Sequence, residues 1–271
     1  MALDPEASTA FPFTLEVYGF YSTLIARVGD ASESNSDNEP SLGGKLLYAG
    51  ELDEGGRALM VAGNIAGAAS LVATLDTSAQ KQAIRDGVVD FLVTSLDEAL
   101  RILKNEIRKR GTVAVCVSRA PMEIEREMLE RGVLPDLLRP DQAATTERPT
   151  SLTSAASSGN NPMPVPALVQ WSVASAPAQW LPKLDAIAFD CVDSANGIAR
   201  RWIRLSPRYL GRLAHGLHLA FLDRAFGAKF VERMREHFER GEIGVHAQIQ
   251  VSFMGGNEEH NFGQQAQAKN D

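Results

Sequence analysis

Residues 61–71 read Val-Ala-Gly-Asn-Ile-Ala-Gly-Ala-Ala-Ser-Leu, a run of small and apolar residues with glycine at positions 63 and 67. The preceding residues 58–62 predict a short buried strand, and residues 64–75 predict a helix that packs closely on a sheet. Where a strand leads through glycine into a helix, free backbone amides face a phosphate and the missing Cβ lets the ligand approach. The G-x-x-x-G spacing differs from the dinucleotide pattern G-x-G-x-x-G, so tight packing of helix on sheet is the competing interpretation.

The flanking segments extend this junction into a regular alternation of strands and helices. Further strands are predicted at residues 45–48, 88–93, 112–117 and 134–138. The helix after residue 95 carries a capping box, in which the Ser95 hydroxyl and the Glu98 carboxylate satisfy the first amides reciprocally. Such alternation predicts an α/β fold, a Rossmann-like parallel sheet with flanking helices.

The second half of the chain has the pattern of a mainly helical region that ends in a strand. Residues 180–202 and 209–226 are long apolar-periodic stretches, and residues 228–240 are amphipathic, which favours helices. Strict alternation of apolar and polar residues over 245–253 predicts a half-exposed strand. The N-terminal residues 11–27 are apolar and aromatic and leave open whether they form a strand or a helix.

Polar segments with few large apolar side chains divide the chain. They are residues 30–43, predicted as a loop, 143–166, predicted as an interdomain linker, and 255–271, predicted as a disordered tail. The resulting organisation is a Rossmann-like domain with an N-terminal extension (1–142), the linker, and a mainly helical part (167–254).

Composition narrows the classes of function. Of the 271 residues, 44% are hydrophobic and 23% are charged, which is typical of a globular protein. The net charge of −7 lacks the basic excess that nucleic-acid and membrane-surface binders carry. No apolar run approaches the length of a bilayer-spanning helix, and the first residues lack the basic region of a secretory signal. Cys116 and Cys191 stand in apolar contexts and predict buried, reduced thiols. We expect a cytoplasmic protein without nucleic-acid or membrane partners, and the oligomeric state stays open.

Four segments, in order, resemble the urocanate hydratase (urocanase) family. They are residues 44–50 (GKLLYAG), 63–74 (GNIAGAASLVAT), 95–100 (SLDEAL) and 131–142 (RGVLPDLLRPDQ). The resemblance implies an NAD-binding domain of Rossmann-like fold. In active members, a tightly bound NAD+ serves as the electrophile while water is added to urocanate in histidine degradation, a lyase reaction. It implies cofactor-binding roles for Gly63, Asn64, Gly67, Ala68, Asp141 and Gln142.

The resemblance also has departures, which predict a shortened and divergent homologue. Asn64, Ala66 and Ser70 stand where the family has glycine or proline. The strand whose acidic end holds the adenosine ribose is not found, and Asp76 and Asp90 are candidate substitutes that are not well placed. No counterpart of the family's catalytic domain is recognised, so no catalytic residue is assigned. We therefore predict a scaffold or binding role on a degenerate dinucleotide-binding fold, with an NAD-binding lyase related to urocanate hydratase as the alternative.

Two other clusters offer weaker sites. His215 and His218 would share one helix face as a metal pair does, but no third ligand is evident, so no metal is predicted. Arginines recur between residues 200 and 212, which fits either an anion site or a solvated helix face. An anionic small molecule, a phosphate or a carboxylate, is the expected ligand, bound at the turn of residues 63–67 or otherwise at these arginines.

Overall fold

The computed structural model describes residues 5–27, 39–139, 166–173, 175–214, 216–253 and 256–263. The chain divides into two compact units. The parallel unit comprises Glu16–Glu33 and Pro40–Met163, and the antiparallel unit comprises Met1–Leu15, Ser34–Glu39 and Pro164–Asp271. The predicted linker, apart from residue 166, lies outside the described residues.

A five-stranded parallel sheet, in the order β3-β4-β2-β1-β5, forms the parallel unit. Its strands are β1 (Leu46–Glu51), β2 (Ala69–Ala73), β3 (Phe91–Val93), β4 (Val113–Val117) and β5 (Leu137–Leu138). Its helices are α2 (Glu54–Ala66), α3 (Thr77–Arg85), α4 (Leu96–Lys109) and α5 (Pro121–Glu130), and α1 (Pro5–Ala26) contributes its second half. The strand order reverses at β1, which lies between β2 and β5, so the predicted Rossmann-like α/β fold is confirmed.

Helices cover both faces of this sheet. One face packs on α4 and α5 through a buried cluster of Leu46, Tyr48, Ala69, Leu71, Ala73, Leu96, Ala99, Leu100, Leu103, Val113, Val115, Val117, Ile124 and Met128. The intervening residues Leu47 and Ser70 lie on the opposite face, against Gly63 of α2. Coverage of both faces explains why β2 and β4 are buried at every position and read as continuous apolar runs.

The structure corrects the predicted elements around the first glycine-rich run. Residues 58–62, predicted as a strand, lie inside α2, and residues 64–75, predicted as a helix, contain β2. A short buried apolar run does not separate helix from strand by its periodicity, and here the N-cap Asp53 decides where the helix begins. Residues 69–73, placed inside the predicted helix, therefore form a strand, and Asp76 follows it.

One of the two hydrogen bonds predicted for the capping box of α4 is confirmed, and the other is made to a different residue. The Glu98 backbone N–H donates to the Ser95 hydroxyl at 3.3 Å, as a capping box requires. The Glu98 carboxylate accepts from the Thr94 backbone N–H at 3.2 Å, one residue earlier than predicted. The first bond satisfies an amide of the first turn that the helix leaves unpaired, and the second holds the residue before the cap.

A four-stranded antiparallel sheet, in the order β7-β6-β8-β9, organises the antiparallel unit. Its strands are β6 (Pro166–Val173), β7 (Leu217–Asp223), β8 (Ala247–Phe253) and β9 (Gly256–Phe262). Its helices are α6 (Pro177–Cys191), α7 (Gly197–Leu210) and α8 (Arg224–Glu239), with a 3₁₀ turn at Gly211–Ala214. The helices match the predicted helical character, and β8 confirms the predicted alternating strand.

Two predictions for this second unit are wrong. Residues 217–223, placed inside a long helix, form β7, and residues 256–262, placed in a disordered tail, form β9. β9 is polar except for Phe262, whose ring stacks on Phe238 with 5.5 Å between the centroids, and its residues alternate between exposed and half-buried. Its order therefore comes mainly from pairing with β8. No helix in the described part of the chain is long and apolar enough to cross a membrane.

Candidate functional site

The carboxyl ends of β1 and β5 flank the point where the strand order reverses, which is where open α/β sheets place their ligands. The end of β1, the loop after it and the first turn of α2 read Gly-Glu-Leu-Asp-Glu-Gly-Gly over residues 50–56. This segment is called the first βα loop below. It leads into the N-terminus of α2. This position, and not the turn at residues 63–67, is the one that corresponds to a dinucleotide phosphate site.

Two adjacent glycines shape this loop by close contact. A Cβ at Gly56 would lie 1.9 Å from the Glu51 carbonyl oxygen, so no other residue fits without moving the backbone. A Cβ at Gly55 would lie 2.7 Å from Nη2 of Arg139, which follows β5. The Arg139 guanidinium therefore covers the backbone of the loop at the place where a bound phosphate would approach.

The Asp53 carboxylate closes the N-terminus of α2. Its Oδ1 accepts from the Gly56 backbone N–H at 2.6 Å and from Nη1 of Arg139 at 2.7 Å. Partial burial alone would raise the Asp53 pKa, but the hydrogen bonds from Arg139 and Gly56 hold this pKa below its ordinary value. The carboxylate therefore stays ionised and engages an amide that a dinucleotide fold leaves for phosphate.

The charge of the first βα loop opposes an anionic ligand. Glu51, Asp53 and Glu54 contribute three carboxylates within four residues, and Arg139 supplies one guanidinium against them. Acidic residues in the first turn stabilise a helix through its dipole, yet the same charges repel phosphate oxygens. These residues do not fit the pyrophosphate of NAD+, since the amide is occupied and the surrounding charge has the wrong sign.

The residues predicted to bind the cofactor lie at the other end of α2. Gly63 and Asn64 are in its last turn, and Gly67, with φ 92°, ends it. The backbone N–H groups of Gly67 and Ala68 both donate to the Gly63 carbonyl, at 2.8 and 2.9 Å. The assumption that a helix begins after Gly63 is therefore wrong, because these amides close a helix.

The same four positions are buried. A Cβ at Gly63 would lie 2.7 Å from Cδ2 of Leu47 and 2.8 Å from the Ser70 hydroxyl oxygen, which is the tight helix–sheet packing considered as the alternative. The Asn64 side-chain amide donates to the Val88 carbonyl at 3.2 Å. Asp141 and Gln142, predicted to complete the site, lie outside the described residues.

The two aspartates considered for the ribose are both engaged by backbone. Asp76 caps α3 and accepts from the Ser78 and Ala79 N–H groups at 2.7 and 3.2 Å. Asp90 accepts from the Ala114 N–H at 2.8 Å. The sequence analysis missed the first βα loop and Arg139; an Asp-Glu pair directly after a buried strand is the helix-start signal that could have located them.

The arginines of α7 have separate partners and do not converge. Arg200 lies over the Phe189 ring at 4.0 Å from its centroid, and Arg204 forms an ion pair with Glu39. Arg201 is buried, and the side chain of Arg212 lies outside the described residues. This distribution supports the interpretation as an ordinary helix face more than an anion site.

The histidine pair does not share a helix face. His218 lies on β7, and His215 is outside the described residues. Nδ1 of His218 lies 2.6 Å from Oδ1 of Asp185, and the Trp171 indole N–H donates to the same oxygen at 2.9 Å. Within the described ranges, no group of three or more histidine, cysteine or acidic residues is arranged to hold a metal ion.

Comparison with known families agrees with this architecture. Residues 17–150 match the family model described as the urocanase Rossmann-like domain. The matched region contains all five strands of the parallel sheet and the helices α2 to α5 between them. Residues 17–150 of this protein are therefore similar to the Rossmann-like domain of the urocanase family.

Proposed function

We propose that the urocanase-type domain of this protein is a non-catalytic scaffold or binding module and does not hydrate urocanate. One observation carries the proposal: the Asp53 carboxylate occupies the Gly56 amide and the Arg139 guanidinium at the first βα loop. A dinucleotide would have to displace this carboxylate before its phosphates could reach the helix N-terminus.

The energetics of that displacement are unfavourable. Breaking an N-cap costs about 1 kcal/mol. A phosphate about 5 Å from one carboxylate meets a repulsion of roughly 3 kcal/mol at an effective dielectric constant of about 20, and less where solvent screens it. Glu51 and Glu54 remain beside the loop after Asp53 has moved, so part of the repulsion persists.

The alternative function is an NAD-binding lyase related to urocanate hydratase. Gly55 and Gly56 keep the backbone of the loop bare, and the guanidinium of Arg139 lies directly over it. An arginine beside a bare backbone can bind phosphate bidentately if its carboxylate partner turns away. The two functions therefore differ in whether NAD+ is bound.

Mass spectrometry of the released small molecules separates the two functions. The purified protein is denatured, and the supernatant is analysed for NAD+; the scaffold proposal expects none, whereas a stoichiometric amount would establish the alternative. In a second arm, the protein is titrated with NAD+ by calorimetry, so that cofactor lost during purification does not mimic its absence.

Loss of urocanate absorbance with added NAD+ provides the activity test. The proposal expects the same rate as a heat-killed sample of the same preparation. Steady turnover above that control would overturn it, whatever the cofactor content.

A further inference from the structure

The edge of the parallel sheet at β3 exposes apolar side chains. Phe91 is 48% exposed and Leu92 is 43% exposed, and as consecutive strand residues they point to opposite faces. β3 pairs with β4 on one side, and no strand among the described residues pairs with its other side. An open strand edge with exposed apolar residues is a template for an added strand unless something covers or charges it.

A groove runs beside this edge on the face that α4 covers. It has a volume of about 1240 Å³ and lies between α4 and the beginnings of β3 and β4. Phe91, Ile102 and Val113 supply its apolar lining. Because Thr112 and Val113 stand at the start of β4, the groove is at the amino-terminal edge of the sheet, the edge opposite the first βα loop.

Basic side chains form the rim of the groove. Arg101, Lys104 and Arg108 follow one another at helical spacing on α4, and all three are exposed. Arg108 lies in the last turn of α4, where the negative end of the helix dipole stabilises basic side chains. The dipole does not explain Arg101 and Lys104, which precede that turn and form no ion pair with any residue in the described part of the chain.

The two acidic residues that line the groove offset only part of this charge, because three basic residues line it. Asp90 accepts from the backbone N–H of Ala114, and Glu106 forms an ion pair with Lys109 at 2.9 Å. The rim therefore presents net positive charge beside an apolar floor, on a chain whose overall charge is −7. An acidic segment with apolar side chains is complementary to both features.

We propose that the β3 edge and the α4 groove bind an acidic, extended peptide segment of a partner protein. The segment adds as a strand along the outer edge of β3, places alternate apolar side chains against Phe91 and Ile102, and directs carboxylates to Arg101, Lys104 and Arg108. A short labelled peptide represents such a partner. The proposal concerns the opposite edge of the sheet from Asp53, so it stands or fails independently of NAD+ binding.

Fluorescence anisotropy with a short fluorescein-labelled peptide, in which glutamate alternates with valine and phenylalanine, tests the proposal on the full chain. Saturable binding that weakens with rising salt is expected. Arg101→Glu should weaken it about tenfold, because one attraction becomes a repulsion. Phe91→Ser should also weaken it, since it removes the apolar contact beside the strand edge.

Arg126→Glu is the matched control, because Arg126 is a 70% exposed arginine on α5 outside the groove. It should leave the affinity unchanged, and circular dichroism should show all three variants folded. A peptide with alternate backbone nitrogens methylated should not bind, because it cannot complete the strand ladder.

Several outcomes would overturn the proposal. The first is that a peptide with lysine in place of glutamate binds as tightly as the acidic peptide. The second is that the Arg101→Glu variant binds the acidic peptide as tightly as the wild-type protein does. The third is that the methylated peptide binds as tightly as the unmethylated one. Tighter binding of a single-stranded oligonucleotide would assign the rim to nucleic acid instead. A dimer that Phe91→Ser dissociates would assign the edge to a second copy of this chain.

Discussion

Nη1 of Arg139 lies 2.7 Å from Oδ1 of Asp53. This ion pair connects the residue that follows β5 to the first βα loop. The same Asp53 oxygen accepts from the backbone N–H of Gly56 and so caps α2. One carboxylate thus links the two strands that flank the reversal of strand order. A position that carries phosphate in dinucleotide-binding folds carries a structural ion pair here.

Asp53→Ala should lower the free energy of unfolding by about 1–2 kcal/mol, because it removes the N-cap together with the ion pair to Arg139. Asp53→Asn is the matched variant: asparagine caps a helix about as well as aspartate but cannot pair with Arg139, so it should cost less than alanine. Urea unfolding measures both. Equal losses in the two variants would mean that the cap contributes nothing.

The Asp53 contribution should depend on pH in a defined direction. Its folded-state pKa lies below the ordinary value of 3.8, so the stabilisation is present above that value and is lost as the pH falls through the lowered pKa. The difference in stability between wild type and Asp53→Asn should therefore shrink in that acidic range. A difference that grows on acidification would contradict the ion pair as its source.

Gly56→Ala should be severely destabilising, by about 3 kcal/mol or more, because the new Cβ meets the Glu51 carbonyl oxygen at 1.9 Å and only a backbone shift relieves the clash. Gly19→Ala is the control, since Gly19 lies in α1 with nothing within 4 Å of its Cβ position. That variant should be neutral or slightly stabilising through helix propensity. Thermal unfolding monitored by circular dichroism compares them.

Cys116 should be inert towards thiol reagents in the folded protein. Burial, with a further contribution from Glu51, raises its pKa to about 12, so almost no thiolate is present at neutral pH. Burial also raises the pKa of Cys191. Labelling with iodoacetamide followed by mass spectrometry should show both thiols unmodified in the native state and modified in denaturant; rapid native labelling of Cys116 would contradict this environment.

Asp185→Asn should cost about 1–3 kcal/mol, because Asp185 accepts from the Trp171 indole and contacts Nδ1 of His218 within a partly buried network. The change should also alter the Trp171 fluorescence. Asp190→Asn removes an exposed carboxylate from the same helix and should leave both properties nearly unchanged. Similar losses for the two variants would contradict a specific role for the network.

Gly67→Asp should destabilise the fold rather than remove an anion selectively. Gly67 has φ 92° and ends α2, and a side chain there is strained in that conformation. Thermal unfolding is the measurement, with Ser78→Asp on the surface of α3 as the charge-matched control. A fully stable Gly67→Asp protein would contradict the need for glycine in this left-handed conformation.

Local signals in the sequence were sufficient for most of the parallel unit. The apolar run at residues 45–48, the Ser95 cap and the apolar run at residues 112–117 each act within a few residues, so they specify their elements before any tertiary contact forms. The alternation of strands and helices then determined the Rossmann-like class. The alternation of apolar and polar residues also predicted β8 correctly, because only one face of that strand is buried.

Tertiary structure alone decided the rest. Residues 58–75 are mostly small or apolar, so their periodicity does not separate α2 from β2, and residues 69–73 become a strand by pairing with β1 and β4. β9 is polar and becomes a strand by pairing with β8. The candidate site depends on Arg139 meeting Asp53, two residues 86 positions apart that share no local signal. The sequence by itself determined the fold class and the resemblance to the urocanase Rossmann-like domain. The chemistry of the first βα loop was decided by a contact that exists only when β1 and β5 are neighbours.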